Sequence, residues 1–250
     1  LFGPWKSANG DSLWTSEAWY TMNAVPSDRP GVVGEGAAIV HNTLTDDERV
    51  EGWRLLFDGE TTDGWRGFQR PRVGRGWQVQ DGCLSRVGSG GDIITEDQFE
   101  DFELSLEWSV EPGGNSGIFF YVTEEGDWVW ETGPEMQILD NELHADGDSP
   151  YTSAGANYGL HAPTFDHSKP APMFNHAVIR VQDGHVQYFL NGEQTVEYTL
   201  LSEEWERKIA ASKFASMARH GREGAGHIAL QDHGDLVRFR NIKVRELDED

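Results

Sequence analysis

Phe102-Glu103-Leu104-Ser105-Leu106-Glu107-Trp108-Ser109 alternates apolar and polar residues without a break. A period of two puts Phe102, Leu104, Leu106 and Trp108 on one face and the polar four on the other, the pattern of a half-buried β-strand. Working outward, the same period recurs. Asp81-Gly82, Asp183-Gly184 and Asn191-Gly192 each separate alternating runs, and an Asx-Gly pair supplies the two positive φ angles of a tight hairpin turn. Residues 178–181, 185–190 and 195–198 therefore read as a three-stranded meander, with further strands at 117–122 and 235–247. Only two helices interrupt. Thr45-Asp46-Asp47-Glu48 is a capping-box pattern that predicts a short helix to about Glu51. A second helix is expected from Ser202 to about Met217, anchored by Trp205, Ile209 and Phe214. Many antiparallel strands with few helices define an all-β, two-sheet sandwich.

Residues 1–43 carry Gly, Pro, Ser and scattered Trp without a period, and read as an irregular N-terminal extension. Trp5, Trp14 and Trp19 would lay it across the strand-rich domain, 44–250. With 250 residues and ten tryptophans, the chain has ample material for an aromatic core. A net charge of −23 argues against binding a nucleic-acid backbone, which would need a basic stripe. Its plain reading is a solvated surface. Cys83 stands alone, so intrachain disulfides and cysteine-based zinc sites are excluded, and it is expected in the core. No apolar stretch approaches membrane-spanning length. Leu1 in place of Met is consistent with a processed chain. Oligomeric state is not legible.

Candidate chemistry centres on Pro134-Glu135-Met136-Gln137-Ile138-Leu139-Asp140. As a strand, it sends Met136 and Ile138 inward and Glu135 and Gln137 outward, and a bulge at Leu139 would bring Asp140 to the same polar side. Paired carboxylates are what acid–base chemistry on a sugar requires. Glu107, Tyr121, Gln231 and His233 also fall on polar phases of their strands, so the set converges if those strands are neighbours. Otherwise each is an ordinary solvent-facing group. Asn115 follows a glycine-rich turn that either presents ligand contacts or only turns the chain. Trp128 and Trp130, two apart, form either a sugar-stacking platform or core. His144, four residues past Asp140, is either an exposed loop residue or a metal or proton handler. Asp232 either orients His233 or is a turn residue. No serine-hydrolase elbow, Walker loop or dinucleotide fingerprint occurs.

Several segments resemble a known family: Gly52-Trp53-Arg54-Leu55-Leu56-Phe57-Asp58-Gly59, Gly113-Gly114-Asn115-Ser116-Gly117, 135–141, Gly226 through Gly234, and Phe239-Arg240-Asn241-Ile242. In consistent order over roughly residues 44–247, they are similar to the 3-keto-disaccharide hydrolase domain. The resemblance implies a concanavalin A-like jelly roll related in fold to laminarinase-type enzymes. Those carry Glu-x-Asp-x-x-Glu, where this chain has Glu135-x-Gln137-x-x-Asp140. The resemblance further implies cleavage of 3-keto-glycosides by elimination, hydration or both, with a non-catalytic sugar-binding module as the alternative. Glu135 or His233 would be the base. Asp140 would shuttle a proton or, with His144, hold a divalent metal. Glu107, Asn115, Tyr121, Trp130, Gln137 and Gln231 would bind a small carbohydrate. In such relatives an Arg or His often stands where this chain has Tyr121. Family habit implies export to the periplasm or beyond.

Overall fold

The computed structural model describes residues 40–247, together with a two-strand ladder, β1 (Trp5–Lys6) with β2 (Ser12–Leu13). The chain divides into a unit of residues 1–39 and a unit of residues 40–250. Apart from that ladder, residues 1–39, with the expected Trp14 and Trp19 anchors, lie outside the described residues.

In the second unit the elements follow as α1 (Asp46–Val50), β3 (Arg54–Leu55), β4 (Trp65–Gly67), β5 (Trp77–Gln80), β6 (Cys83–Arg86) and β7 (Ile93–Thr95). Next come β8 (Phe102–Val110), β9 (Asn115–Val122), β10 (Glu135–Leu139), β11 (Asn175–Gln182), β12 (His185–Leu190) and β13 (Glu193–Thr199). The unit closes with α2 (Glu203–Ala210), β14 (His227–Leu230) and β15 (Val237–Glu246).

Two antiparallel sheets result. The large one runs β13-β12-β11-β8-β15-β6-β5, with β3 added to β15, and the small one runs β10-β9-β14-β7-β4. The alternation of Phe102–Val110 makes β8 a central strand of the large sheet. Its Phe102, Leu104, Leu106 and Trp108 are essentially inaccessible and meet Ile118, Phe120, Met136 and Ile138 of the small sheet in one apolar core. The three Asx-Gly pairs adopt positive φ and close the β5–β6, β11–β12 and β12–β13 hairpins, as their sequence demands. Cys83 is a buried free thiol. Among the described residues no helix is long and apolar enough to cross a membrane.

α1 forms with the expected capping box: Thr45 Oγ1 accepts from the Glu48 amide, and Glu48 accepts from the Thr45 amide. The second helix is shorter than its periodicity predicts. Ser202 caps α2, which stops at Ala210 once Trp205 and Ile209 are buried. Ser212 then starts a separate 3₁₀ turn, Lys213–Ser216, by accepting the Phe214 amide on its hydroxyl.

Three further expectations are corrected. There is no bulge at Leu139: β10 pairs with β9 in continuous register from Glu135 to Leu139, so Leu139 shares the Glu135 face. Asp140 leaves the strand and turns back on its own loop. Tyr121 is not on the polar face either. A register shift between β9 and β14 and a φ of 55° at Tyr121 put two consecutive rings, Phe120 and Tyr121, into the core. The Tyr121 hydroxyl donates to the Glu100 carbonyl there. Glu107 alternates as expected, but on the outer face of the large sheet. It pairs with Arg240 at 2.6 Å, and although partial burial pushes its carboxyl up, Arg240, Asn241 and His41 outweigh that and hold it below the usual range.

Candidate active site

The face of the small sheet turned away from the core carries the chemistry. In β10 the inward positions are Met136 and Ile138, which leaves Glu135 and Gln137 outward. Their partners in β9 are Phe119 and Gly117, and Asn115 lies opposite Leu139. Next door, the Gln231 amide donates to the Gly117 carbonyl and Ser116 Oγ donates to the Gln231 carbonyl, which fixes the end of β14 to the same row. Glycine at 117 leaves the acid its place, because a Cβ there would crowd the Glu135 carboxylate and the Phe119 ring and force them to shift. The acid, set diagonally to that glycine in the ladder, leans over it.

Beyond β10, residues 155–158 extend the sheet edge. Gln137 donates to the Ala156 carbonyl, Gly155 to the Gln137 carbonyl and Tyr158 to the Glu135 carbonyl, each through its amide. Those bonds bring Tyr158 beside Glu135. The loop after Asp140 adds Asp146, and the 3₁₀ turn adds Lys213. Together with Trp130, Gln231 and His233 they enclose a cavity of about 190 Å³ that also contains Asn115, Glu135 and Gln137. That is less than the roughly 300–1,000 Å³ of sites for drug-sized ligands, and suits one small ring.

Glu135 is 8 % exposed, and burial pushes its carboxyl up to about 8. Lys213 opposes that rise, while Asp92 and Asp146 add to it. Partial burial also pulls the Lys213 ammonium below its usual value, against Glu135 and Asp146. Burial raises the Tyr158 phenol, with Asp146 and Glu135 reinforcing it. Two buried amide oxygens, Gln137 Oε1 and Asn115 Oδ1, have no hydrogen-bond partner among the described residues. Orphaned acceptors of this kind are costly in a finished core, and a ligand with hydroxyl donors would satisfy them.

Of the residues expected from sequence, Asn115, Trp130, Glu135, Gln137, Gln231 and His233 meet in this cavity. Trp130 stacks on exposed Trp128 with ring centroids 4.9 Å apart and planes 7° from parallel. His144 stands just behind: Nδ1 accepts from the Asp146 amide, Nε2 is 3.4 Å from Asn115 Nδ2, and its ring centroid is 6.1 Å from that of His233. Asp232 does not orient His233. Its two oxygens accept from Arg86 and from the Gly90 and Gly91 amides, and the carboxylate nearest His233 is Asp235, 3.9 Å away.

Asp140, Glu107 and Tyr121 stay outside the cavity. Both Asp140 oxygens are engaged, one by the Gly113 amide and one by the Glu142 amide, so the carboxylate braces two loops. That arrangement does not fit Asp140 and His144 as a divalent-metal pair, since the first carboxylate is spent on backbone and the His144 Nδ1 is already an acceptor. Among the described residues no group of three or more His, Cys, Asp or Glu is placed to hold a metal ion. Asp146, Tyr158 and Lys213 are the cavity residues the sequence did not reveal.

A sandwich that gathers an isolated buried acid, amides and an indole over one sheet is of the carbohydrate-active jelly-roll class. Comparison with known proteins agrees. Residues 52–245 match the profile of the 3-keto-alpha-glucoside-1,2-lyase-like domain, and the chain belongs to that family. A 3-keto-disaccharide hydrolase of Bacteroides thetaiotaomicron is 36 % identical over 230 residues, spanning 79 % of each chain. A solved structure from Parabacteroides distasonis, provisionally described as a glycosyl hydrolase, superposes with a TM-score of 0.79 at 31 % identity, covering 84 % of this chain and all of that one. A second from the same organism gives 0.61 at 31 % identity over 78 % of this chain and 99 % of its own.

Proposed function

We propose that the protein cleaves the glycosidic bond of 3-keto-glucosides by elimination, with water then adding to give net hydrolysis, and that Glu135 is the base. The observation that carries this reading is Glu135 itself: a buried carboxylate in a one-ring cavity, with no hydrogen-bond partner for its oxygens among the described residues. A ketone at C3 acidifies the hydrogen on C2. A carboxylate raised to about 8 is a stronger base than an ordinary one and is still ionised in useful amount near neutrality.

Removal of the C2 proton gives an enediolate. Its collapse forms the C1–C2 double bond, restores the ketone and expels the oxygen of the leaving group. That oxygen takes a proton from the cavity rim, where His233 stands half exposed. Gln137 Oε1 and Asn115 Oδ1 accept from ring hydroxyls, and the Trp130 indole covers an apolar face of the sugar. Water adding across C1 and C2 completes hydrolysis. The relatives' names support the substrate class. The Gln137 amide, at the centre of the strand motif, suits an already oxidised substrate better than double displacement.

Incubation with a 3-keto-glucoside and with its parent glucoside tests the proposal. Turnover is expected of the keto compound alone, and Glu135→Gln should lower kcat by about 10²–10⁴-fold, the usual worth of a positioned base. Unchanged turnover by that variant ends the assignment. Saturable binding of glycans with no turnover by the wild type would make the domain a sugar-binding module instead.

A further inference from the structure

We propose that Lys213 is the electrophile of the site, its ammonium ion-pairing with the negative charge that develops on the substrate's ketone oxygen as Glu135 takes the C2 proton. The inference deepens the elimination chemistry above and rests on it. Lys213 is the one lysine or arginine among the residues lining the cavity. The other lysines at 169, 208 and 243 each donate a hydrogen bond: Lys169 to the Phe174 carbonyl, Lys208 to the Leu160 carbonyl and Lys243 to Glu48. Lys213 donates none and forms no ion pair within 4 Å of any described residue. Its Nζ is held over two rings instead, 4.0 Å from the centroid of Tyr158 and 5.1 Å from that of Phe214. Aromatic faces steady a cation without consuming its N–H donors.

Its placement is built into the fold. The break after α2 sets Lys213 between Ser212, whose hydroxyl starts the 3₁₀ turn, and Phe214, which is buried. A continuous helix would not hold the residue between those two anchors. The two buried amide oxygens left unpartnered in the cavity are acceptors and would repel an oxyanion, so neither of them can take this role. In the reaction the C2–H electron pair moves between C2 and C3, the carbonyl π pair moves onto oxygen, and the proton goes to Glu135. Lys213 keeps its own proton throughout. A fixed cation aimed at charge that appears only in the transition state acts on kcat more than on binding.

The test uses the full chain and a 3-keto-glucoside in deuterium oxide, reading both aglycone release and exchange of the C2 hydrogen. Lys213→Met should lower both rates together, by about 10²–10³-fold as for loss of one oxyanion donor, with KM changed little. Lys213→Arg, which keeps the charge, should recover part of both. Because Lys213 also restrains the Glu135 carboxyl, the methionine variant should move the ascending limb of the rate profile, set by ionisation of the base, to higher pH, which a purely structural lysine would not do. Exchange at the wild-type rate without aglycone release in Lys213→Met would overturn the proposal, since the lysine would then act on the leaving group. So would a borohydride-trapped covalent adduct at Lys213, which would make it an imine-forming nucleophile. Absence of both exchange and release in the wild type would refute the elimination reading itself.

Discussion

Glu135 is asked to be both ionised for chemistry and buried for selectivity, and the two demands meet in its titration. Burial raises the folded-state carboxyl to about 8, whereas the unfolded chain titrates it near the ordinary value of 4.5. The folded protein therefore binds this proton more tightly than the unfolded one between those limits. The group's contribution to stability is complete below pH ~4.5 and is lost as pH rises through ~8, by an amount on the order of a few kcal/mol. The Gln variant has no such group. Unfolding midpoints of wild type and Glu135→Gln should accordingly diverge between pH 5 and 9, the variant gaining on the wild type as pH rises. Over the same range wild-type kcat/KM should climb along a limb centred near 8. A gap between midpoints that stays constant across that range would mean the carboxyl titrates normally.

At the level of strands and helices, Gly117 shows how tightly one element constrains another. Its missing side chain is the space the Glu135 carboxylate occupies, with the Phe119 ring also within 3 Å of where a Cβ would stand. Gly117→Ala should displace the acid and lower kcat by at least tenfold, with an overpacking penalty of about 1–3 kcal/mol measured by denaturant unfolding. A variant with wild-type kcat would show that the acid works from elsewhere. The same register explains what could be read from the chain and what could not. Period-two alternation and Asx-Gly turns are local signals, so β8, the β11–β13 meander, and the outward phase of Glu135 and Gln137 were legible. Tyr121 and Asp140 were misplaced because a register shift at one strand end, and its absence at another, depend on the neighbouring strand. Lys213 was hidden for a related reason: its period continues that of α2, and only the Ser212 cap separates them. Asp146 and Tyr158 reach the cavity on a loop, where no periodicity announces the direction of a side chain.

At the scale of the whole molecule charge is unevenly matched, and one group of paired cations lies on the outer face of the large sheet. Arg240 and Arg245 pair there with Glu107 and Glu103, Lys243 pairs with Glu48, and Lys243 and Arg245 lie over the Trp53 ring. Only 20 lysines and arginines face 43 acids in the full chain, so pairing cannot balance the remaining negative surface. Two effects of salt then compete. Added ions weaken these half-buried pairs, which screening reaches less than it reaches fully exposed charges. They also screen repulsion within a chain of net charge −23, which opposes compaction at every acidic site at once. The second effect is the larger here, because the surplus acids have no local partner to lose. Raising sodium chloride from about 0.01 M to about 1 M shortens the screening length from ~30 Å to ~3 Å. The unfolding temperature of the wild type at pH 7 should rise across that range, steeply at first and then level off as the charges become independent. A flat or falling curve would place the balance with the ion pairs on the large sheet, and double substitution of Glu103 and Glu107 by Gln would then be the change that removes the salt dependence.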